Sequence, residues 1–340
     1  MTTGKHRAAV AAEAAVQVDP PTEYYTSRYS GEEIDKGIDG ALQLGGASTP
    51  QGAIAALGAG VRPNLLVNPF FKVNQRGQTS YTGEGYTVDM WRITGSRSTL
   101  DVTEDGITFS VSAEDTSRRY IGQKFETGAV KSGVDYTLSV LLQSGELYSG
   151  TAQFPANSGS YNNAFTIPGI GDGRLNVGNN GVKEVYFIVD QGSSLSLRAA
   201  KFEEGARQTF AYKDEDGAWQ FLERPDPLEV LKCQRYQFTF ANAMRIRASR
   251  ITNSEINFFI PLPTGLRTTP TIVNAQNLQV YSPTGGAAQT GFAFSCPSGS
   301  AAFGNGVTIV ATKSSHGLQD AFLYTNTPGG ANLITLDANL

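Results

Sequence analysis

Residues Tyr136 to Leu142 read YTLSVLL, which sets Tyr136, Leu138, Val140 and Leu142 on one side of an extended chain and Thr137, Ser139 and Leu141 on the other. A period of two over seven residues is the signature of a β-strand with one buried face. The same period recurs in ITFSVS (Ile107, Phe109, Val111), in VYFIV (Val185, Phe187, Val189) and in LSLRAAKF (Leu195, Leu197, Ala199). Each run is bounded by Gly, Asn, Asp or Ser, so a β-sandwich or jelly roll is expected from Leu65 to about Tyr212. Between Leu147 and Gly181, Gly, Asn and Ser surround Tyr148, Phe154, Tyr161 and Phe165, which reads as long loops carrying aromatic side chains.

Composition agrees with an all-β chain. Of 340 residues, 40% are apolar and only 17% charged, and 38 Gly with 15 Pro favour short strands joined by turns. The length predicts two folded units and a connecting segment. With 27 basic against 31 acidic residues and no dense Lys/Arg block, nucleic acid is a poor partner. Cys233 and Cys296 stand far apart, so neither a disulfide framework nor a metal-ligand spacing is present, and no cofactor is expected. Lys5, His6 and Arg7 before an alanine-rich run imitate a signal peptide, but Glu13 interrupts it. No uncharged apolar stretch reaches the roughly 18 residues of a membrane span, so no membrane insertion is expected.

The N-terminal region reads differently. Residues 1–29 are expected to be extended until anchored on a partner; Tyr24, Tyr25 and Tyr29 either bury against that partner or form a loosely packed arm. Ser30 and Glu33 form a capping box, and Ile34, Ile38, Ala41 and Leu42 then share one helix face that Gly45 and Gly46 end. A second short helix is expected from Pro50 to Leu57. Such short helices need cover, from other copies, from another protein or from their own β-domain.

Past Pro225 and Pro227, a helical turn at Leu228 and Leu231 runs toward a strand near Cys233 to Phe240. Runs at Glu255 to Leu262, Gly291 to Cys296, Val307 to Ala311, Phe322 to Asn326 and Leu333 to Asp337 predict a second β-sandwich.

Four segments occur in one order: NLLVNPFFKVNQRG with the following YTVDMW (Asn64 to Trp91), KFEEGARQTF (Lys201 to Phe210), PDPLEVLKCQRY (Pro225 to Tyr236) and FFIPLPTGLRTTPTI (Phe258 to Ile272). In this the chain resembles phage and prophage tail-fibre and receptor-binding proteins. TSRYSGEEIDKGI, in the N-terminal region, is similar to the adaptor regions that attach such proteins to a baseplate or tail tip. The resemblance implies a homotrimer in a virion, assembled in the host cytoplasm. It implies an attachment segment over residues 1–63 with Tyr24, Tyr25, Tyr29, Ile34, Ile38 and Leu42 as docking candidates, a carbohydrate-module-like sandwich over 64–224, and a distal sandwich over 225–340. The implied partners are a tail or baseplate protein and host surface polysaccharide. No long shaft is present, so a compact tip fits better than a long fibre.

Catalytic signals are sparse, and the expectation is that the chain is not an enzyme. Only His6 and His316 could serve a nucleophile. Paired carboxylates for glycan hydrolysis could come from Asp101, Glu104, Asp105, Glu114, Asp115, Asp172 or the run Asp214, Glu215, Asp216, which otherwise read as solvated turn residues. Glycan binding needs only an aromatic face and amide partners. Tyr161, Asn162 and Asn163, near Tyr148, have that composition; Trp219 is either an exposed platform or a residue packed at the domain junction. Trp91, inside a strand-like run, is expected in the core. The alternative function is a non-adhesive baseplate or tail protein.

Overall fold

A computed structural model describes residues 62–213, 219–222, 226–240, 245–282, 289–299, 306–318, 321–325 and 334–339. The two N-terminal helices, Tyr24, Tyr25, Tyr29, the stripe of Ile34, Ile38 and Leu42, and the run Asp214, Glu215, Asp216 lie outside the described residues.

The chain is mainly β. From Ser80 to Glu204 the strands are β1 (Ser80–Thr82), β2 (Gly85–Tyr86), β3 (Arg92–Ile93), β4 (Ser98–Thr103), β5 (Gly106–Val111) and β6 (Arg119–Lys124). They continue as β7 (Tyr136–Leu142), β8 (Leu147–Ala152), β9 (Ser160–Ile167), β10 (Gly171–Val177), β11 (Lys183–Val189) and β12 (Ser194–Glu204). Two six-stranded antiparallel sheets result, ordered β1-β4-β5-β12-β7-β8 and β2-β3-β6-β11-β10-β9. Trp91, Phe109, Ile121, Leu138, Val140, Phe187, Leu195 and Phe202 belong to one shared core.

The alternation read in YTLSVLL is present, but β7 is buried on both faces. Leu138 and Val140 enter the shared core, while Leu141 packs with Ala199, Phe210 and Ala211 in a second cluster. That cluster is covered by the antiparallel hairpin of β13 (Ala211–Lys213) and β14 (Trp219–Phe221), with Trp219 and Phe221 partly buried on it. Beneath the same cover Lys201 and Glu203 of β12 are both 0% exposed.

The segment NLLVNPFF is not a strand. It is tied along β12, where Leu65 N–H donates to Phe202 O at 2.7 Å and Ala200 N–H to Pro69 O at 2.9 Å. The Asn64 amide donates to Ala200 O and accepts from Phe202 N–H, so one asparagine closes both sides of the gap that a missing ladder residue would leave. Asn68 sits in the left-handed region at φ 55°, which Asn tolerates better than bulkier residues. Its side chain bonds Val73 and Asp89.

Beyond the single α-helix among the described residues, α1 (Glu229–Gln234), come β15 (Gln237–Phe240), β16 (Arg245–Arg250), β17 (Glu255–Pro261), β18 (Thr271–Val273) and β19 (Leu278–Tyr281). The last strands are β20 (Ala293–Ser295), β21 (Gly306–Thr312), β22 (Ala321–Thr325) and β23 (Ile334–Asp337). They form a three-stranded sheet β15-β23-β18 and a six-stranded sheet β19-β22-β16-β17-β21-β20, with Phe240, Ile256, Phe258, Val307, Ile309 and Leu336 in a separate core. The two cores are linked by polar contacts. Gln75 donates to Gln237 O at 2.8 Å, Asn68 N–H donates to Glu229 Oε1 at 2.6 Å, and Arg76 pairs with Asp337 at 3.2 Å. Residues Val61–Leu340 accordingly form one unit by contact.

Both cysteines are free thiols. Burial pushes the Cys296 thiol up to about 11 and the Cys233 thiol higher still, so both stay protonated at neutral pH. No described helix is long and apolar enough to cross a membrane.

Candidate functional site

The second sheet has one apolar face, where Ile121, Leu175, Val185 and Phe187 line the shared core. Alternation then forces the intervening residues onto the other face. Register places Tyr120, Gly122 and Lys124 of β6 opposite Ile188, Tyr186 and Glu184 of β11. Next come Asp172, Arg174 and Asn176 of β10, and then Thr166, Asn163 and Tyr161 of β9. Arg92 of β3 lies opposite Gly122 on the far side.

This face is an ordered polar and aromatic layer in which Tyr186, Asp172 and Arg174 are themselves buried, Tyr120 is half-buried, and Tyr161, Asn163 and Thr166 are exposed. The Tyr120 and Tyr186 rings stack with centroids 4.6 Å apart at 27°. Gly122 makes room for them: a Cβ there would lie 2.3 Å from Val185 O and 2.5 Å from Tyr186 Cβ. At the other end the Arg174 guanidinium lies 4.0 Å from the centroid of the Tyr161 ring, holding in place a side chain that is 51% exposed. Asp172 accepts hydrogen bonds from Arg174 at 2.7 Å, Thr166 at 2.9 Å and Arg118 at 3.0 Å. Arg118 also pairs with Asp190 at 2.5 Å, Arg92 with Glu84, and Lys124 with Glu184 at 3.9 Å. A depression lined by Arg92, Tyr120, Gly122, Lys124, Glu184 and Tyr186 marks the centre.

Protonation states follow from these contacts. Burial raises the Tyr120 and Tyr186 phenols above their ordinary values, so both remain hydroxyl donors. Burial also pushes the Asp172 carboxyl up, but its bonds to Arg174, Thr166 and Arg118 together outweigh that and hold it below the usual range. Asp172 is therefore a fixed carboxylate and a poor proton donor. Such a face can stack on the C–H side of a ring and exchange hydrogen bonds with hydroxyls.

The carboxylates considered for hydrolysis are differently placed. Asp101, Glu104, Asp105 and Glu114 are exposed on or beside the β4–β5 turn and the loop after β5, and Asp115 is bonded to Arg119 through both oxygens. Asp89, whose carboxyl burial pushes up, is bonded to Gln75 through both oxygens and is itself buried. His316 is buried, with Nδ1 accepting from Leu318 N–H at 3.0 Å. Among the described residues no group of three His, Cys, Asp or Glu side chains could hold a metal.

The glycan-binding candidates read from sequence are not one cluster. The span from Leu147 to Gly181, expected as long loops, is mostly the strands β8, β9 and β10, and strand alternation separates neighbouring residues. Tyr161 and Asn163 lie on the polar face. Asn162 points the other way and donates to Gln153 O at 2.7 Å. Tyr148 packs against the shared core beside Phe165, its ring 6.5 Å away. Trp219 is half-buried on the outer side of the first sheet, its indole N–H donating to Gly145 O at 2.7 Å. Tyr120, Tyr186 and Arg174 carry no signal in the sequence, and Asp172 stands out there only as a hydrolytic carboxylate, because only the pairing of strands distant in sequence brings them to Tyr161.

No family profile matches this chain, and no curated protein matches it.

Proposed function

We propose that this chain is a virion tail-fibre or receptor-binding protein that binds host surface glycans through the outer face of its second sheet. The observation that carries this reading is the exposed Tyr161 ring held by Arg174 on the same face as the Tyr120–Tyr186 stack. The Tyr161 ring offers flat apolar surface beside the exposed Asn163 amide, which is what a sugar ring requires. The four sequence segments that resemble tail-fibre proteins supply the setting: a virion, with the N-terminal residues, Tyr24 to Leu42 among them, docked on a tail or baseplate protein. In this reading residues 64–224 are a jelly-roll module and 225–340 a distal sandwich.

The chain acts as a homotrimer. Leu222 after β14, Leu228 and Val230 at α1 and Phe259 on β17 are exposed and would be covered by neighbouring copies. Three weak sites per particle tip, multiplied over several tips, convert modest contacts into durable attachment. Mass measurement of the purified chain in solution is expected to give three times 36.3 kDa; a lone 36.3 kDa species at working concentration would remove the trimer.

Adhesion is tested by an immobilised glycan panel and by binding to host cells. The full chain is expected to bind, and Tyr161→Ala to weaken binding about tenfold, roughly 1.4 kcal/mol. Because Tyr161 is exposed, its removal should leave folding stability within about 0.5 kcal/mol. A chain that binds no glycan and no host cell is a scaffold instead.

A further inference from the structure

Resting on the adhesive reading above, we infer that the ligand of this face is a neutral oligosaccharide rather than a sialylated or uronic one. The charges on and beside the face are compensated one by one. Arg92 is engaged by Glu84, Lys124 by Glu184, Arg118 by Asp190 and Asp172, and Arg174 by Asp172. Four cations face four carboxylates, so the surface carries no net charge for a sugar carboxylate to meet.

Geometry points the same way. Recognition of a carboxylate favours a guanidinium fork with two parallel N–H groups open to the ligand. Arg118 spends Nη2 on Asp172 and Nε on Asp190, and Arg92 spends Nη1 on the Tyr120 hydroxyl and Nη2 on Glu84. Arg174 gives Nη2 to Asp172 and its planar face to Tyr161; its Nε is buried without a partner among the described residues. An acidic sugar would instead meet the well-exposed carboxylates of Asp190 and Glu84, which repel a like charge. Sugar hydroxyls suit the exposed groups: Asp190 and Glu84 accept from them, and Asn163 both donates and accepts.

Length supports more than one ring. From Tyr120 on β6 to Tyr161 on β9 the face crosses β11 and β10, three strand spacings or about 14 Å, and steps four residues, about 13 Å, along the strands, so the two rings lie on a diagonal. The half-buried Tyr120 and the exposed Tyr161 thus grip a short run of sugars laid diagonally over the sheet, with the row of Tyr186, Arg174 and Asn163 between them.

The experiment sets the full-length protein against four probes: maltohexaose and chitohexaose as neutral ligands, and a polysialic hexamer and hexagalacturonate as acidic ones. Neutral probes are expected to bind at least tenfold more tightly. Their affinity should change less than twofold when salt rises from about 0.05 to about 0.5 M, a range over which surface charge attraction is largely screened. Asp190→Asn, which leaves Arg118 with one carboxylate fewer, should raise affinity for the acidic probes at least fivefold and leave the neutral probes nearly unchanged. Preference for an acidic probe that fades with salt would overturn the neutral assignment and leave adhesion standing. Failure of all four probes, together with loss of host-cell binding, would remove the adhesive reading itself; binding that Tyr161→Ala does not weaken would move the site elsewhere and overturn the inference.

Discussion

Replacing Lys201 with methionine is expected to destabilise the protein by about 3–5 kcal/mol, and replacing Glu203 with leucine by a similar amount, while the double replacement recovers most of the loss. Both residues are 0% exposed, and their charged groups lie 3.7 Å apart. Lys201 Nζ donates to Thr209 O and Thr209 Oγ1 at 3.2 Å, and Glu203 accepts from Thr209 N–H at 2.6 Å and from its hydroxyl. These partners come from the short stretch KFEEGARQTF, which closes over the back of β12. Removing one charge leaves the other sealed from water beneath Phe210 and the β13–β14 hairpin, and that stranded ion carries the large penalty. Removing both leaves an apolar strip that the neighbouring cluster of Leu141, Ala199 and Phe210 can accept. The chain's two tryptophans, Trp91 and Trp219, both lie on this side of α1, so fluorescence-monitored urea unfolding reads this region selectively. Single variants that shift stability by less than about 1 kcal/mol would mean that water reaches the pair.

How far the fold was legible depended on whether a strand's partners were visible within its own run. Ile107, Phe109, Leu138, Val140, Phe187 and Leu195 are core residues because period-two alternation identifies the buried side directly. The second buried face of β7 was not legible, since its cover comes from AYK and WQF, runs of three residues with no measurable period. In β9 and β10, SYNNAFTI and GDGRLNV read as loop because Gly171 and Gly173 occupy positions where a strand normally shows side chains. Gly173 is there for space: a Cβ would lie 2.5 Å from the Phe165 ring. Tyr161 and Asn163 could be read as candidates from composition. Their companions could not, because β6 and β11 pair residues some 60 to 70 positions apart, and a single sequence carries no direct record of register. The asparagines of NLLVNPFF illustrate the converse: Asn64 and Asn68 look like loop polarity but replace missing backbone bonds.

Trp91→Ala is expected to lower stability by about 3–5 kcal/mol, which for a folded unit of this size corresponds to a fall in melting temperature of roughly 6–20 °C. The ring is fully buried between Phe71, at 4.9 Å between centroids, and Phe187, at 6.2 Å, so truncation opens a cavity that two large neighbours cannot both fill. Packing is only part of the effect. The indole N–H donates at 3.0 Å to the carbonyl of Asn68, the left-handed residue whose own N–H donates to Glu229 of α1. Trp91→Phe keeps most of the ring volume and removes that donor, leaving a buried carbonyl one partner short, an expected loss of about 1–3 kcal/mol. The difference between the two variants therefore measures volume against hydrogen bonding at one site. Calorimetry of both resolves it: equal shifts would assign the whole effect to the Asn68 bond, and a shift below about 2 °C for Trp91→Ala would mean that the two sheets do not depend on this residue to stay together.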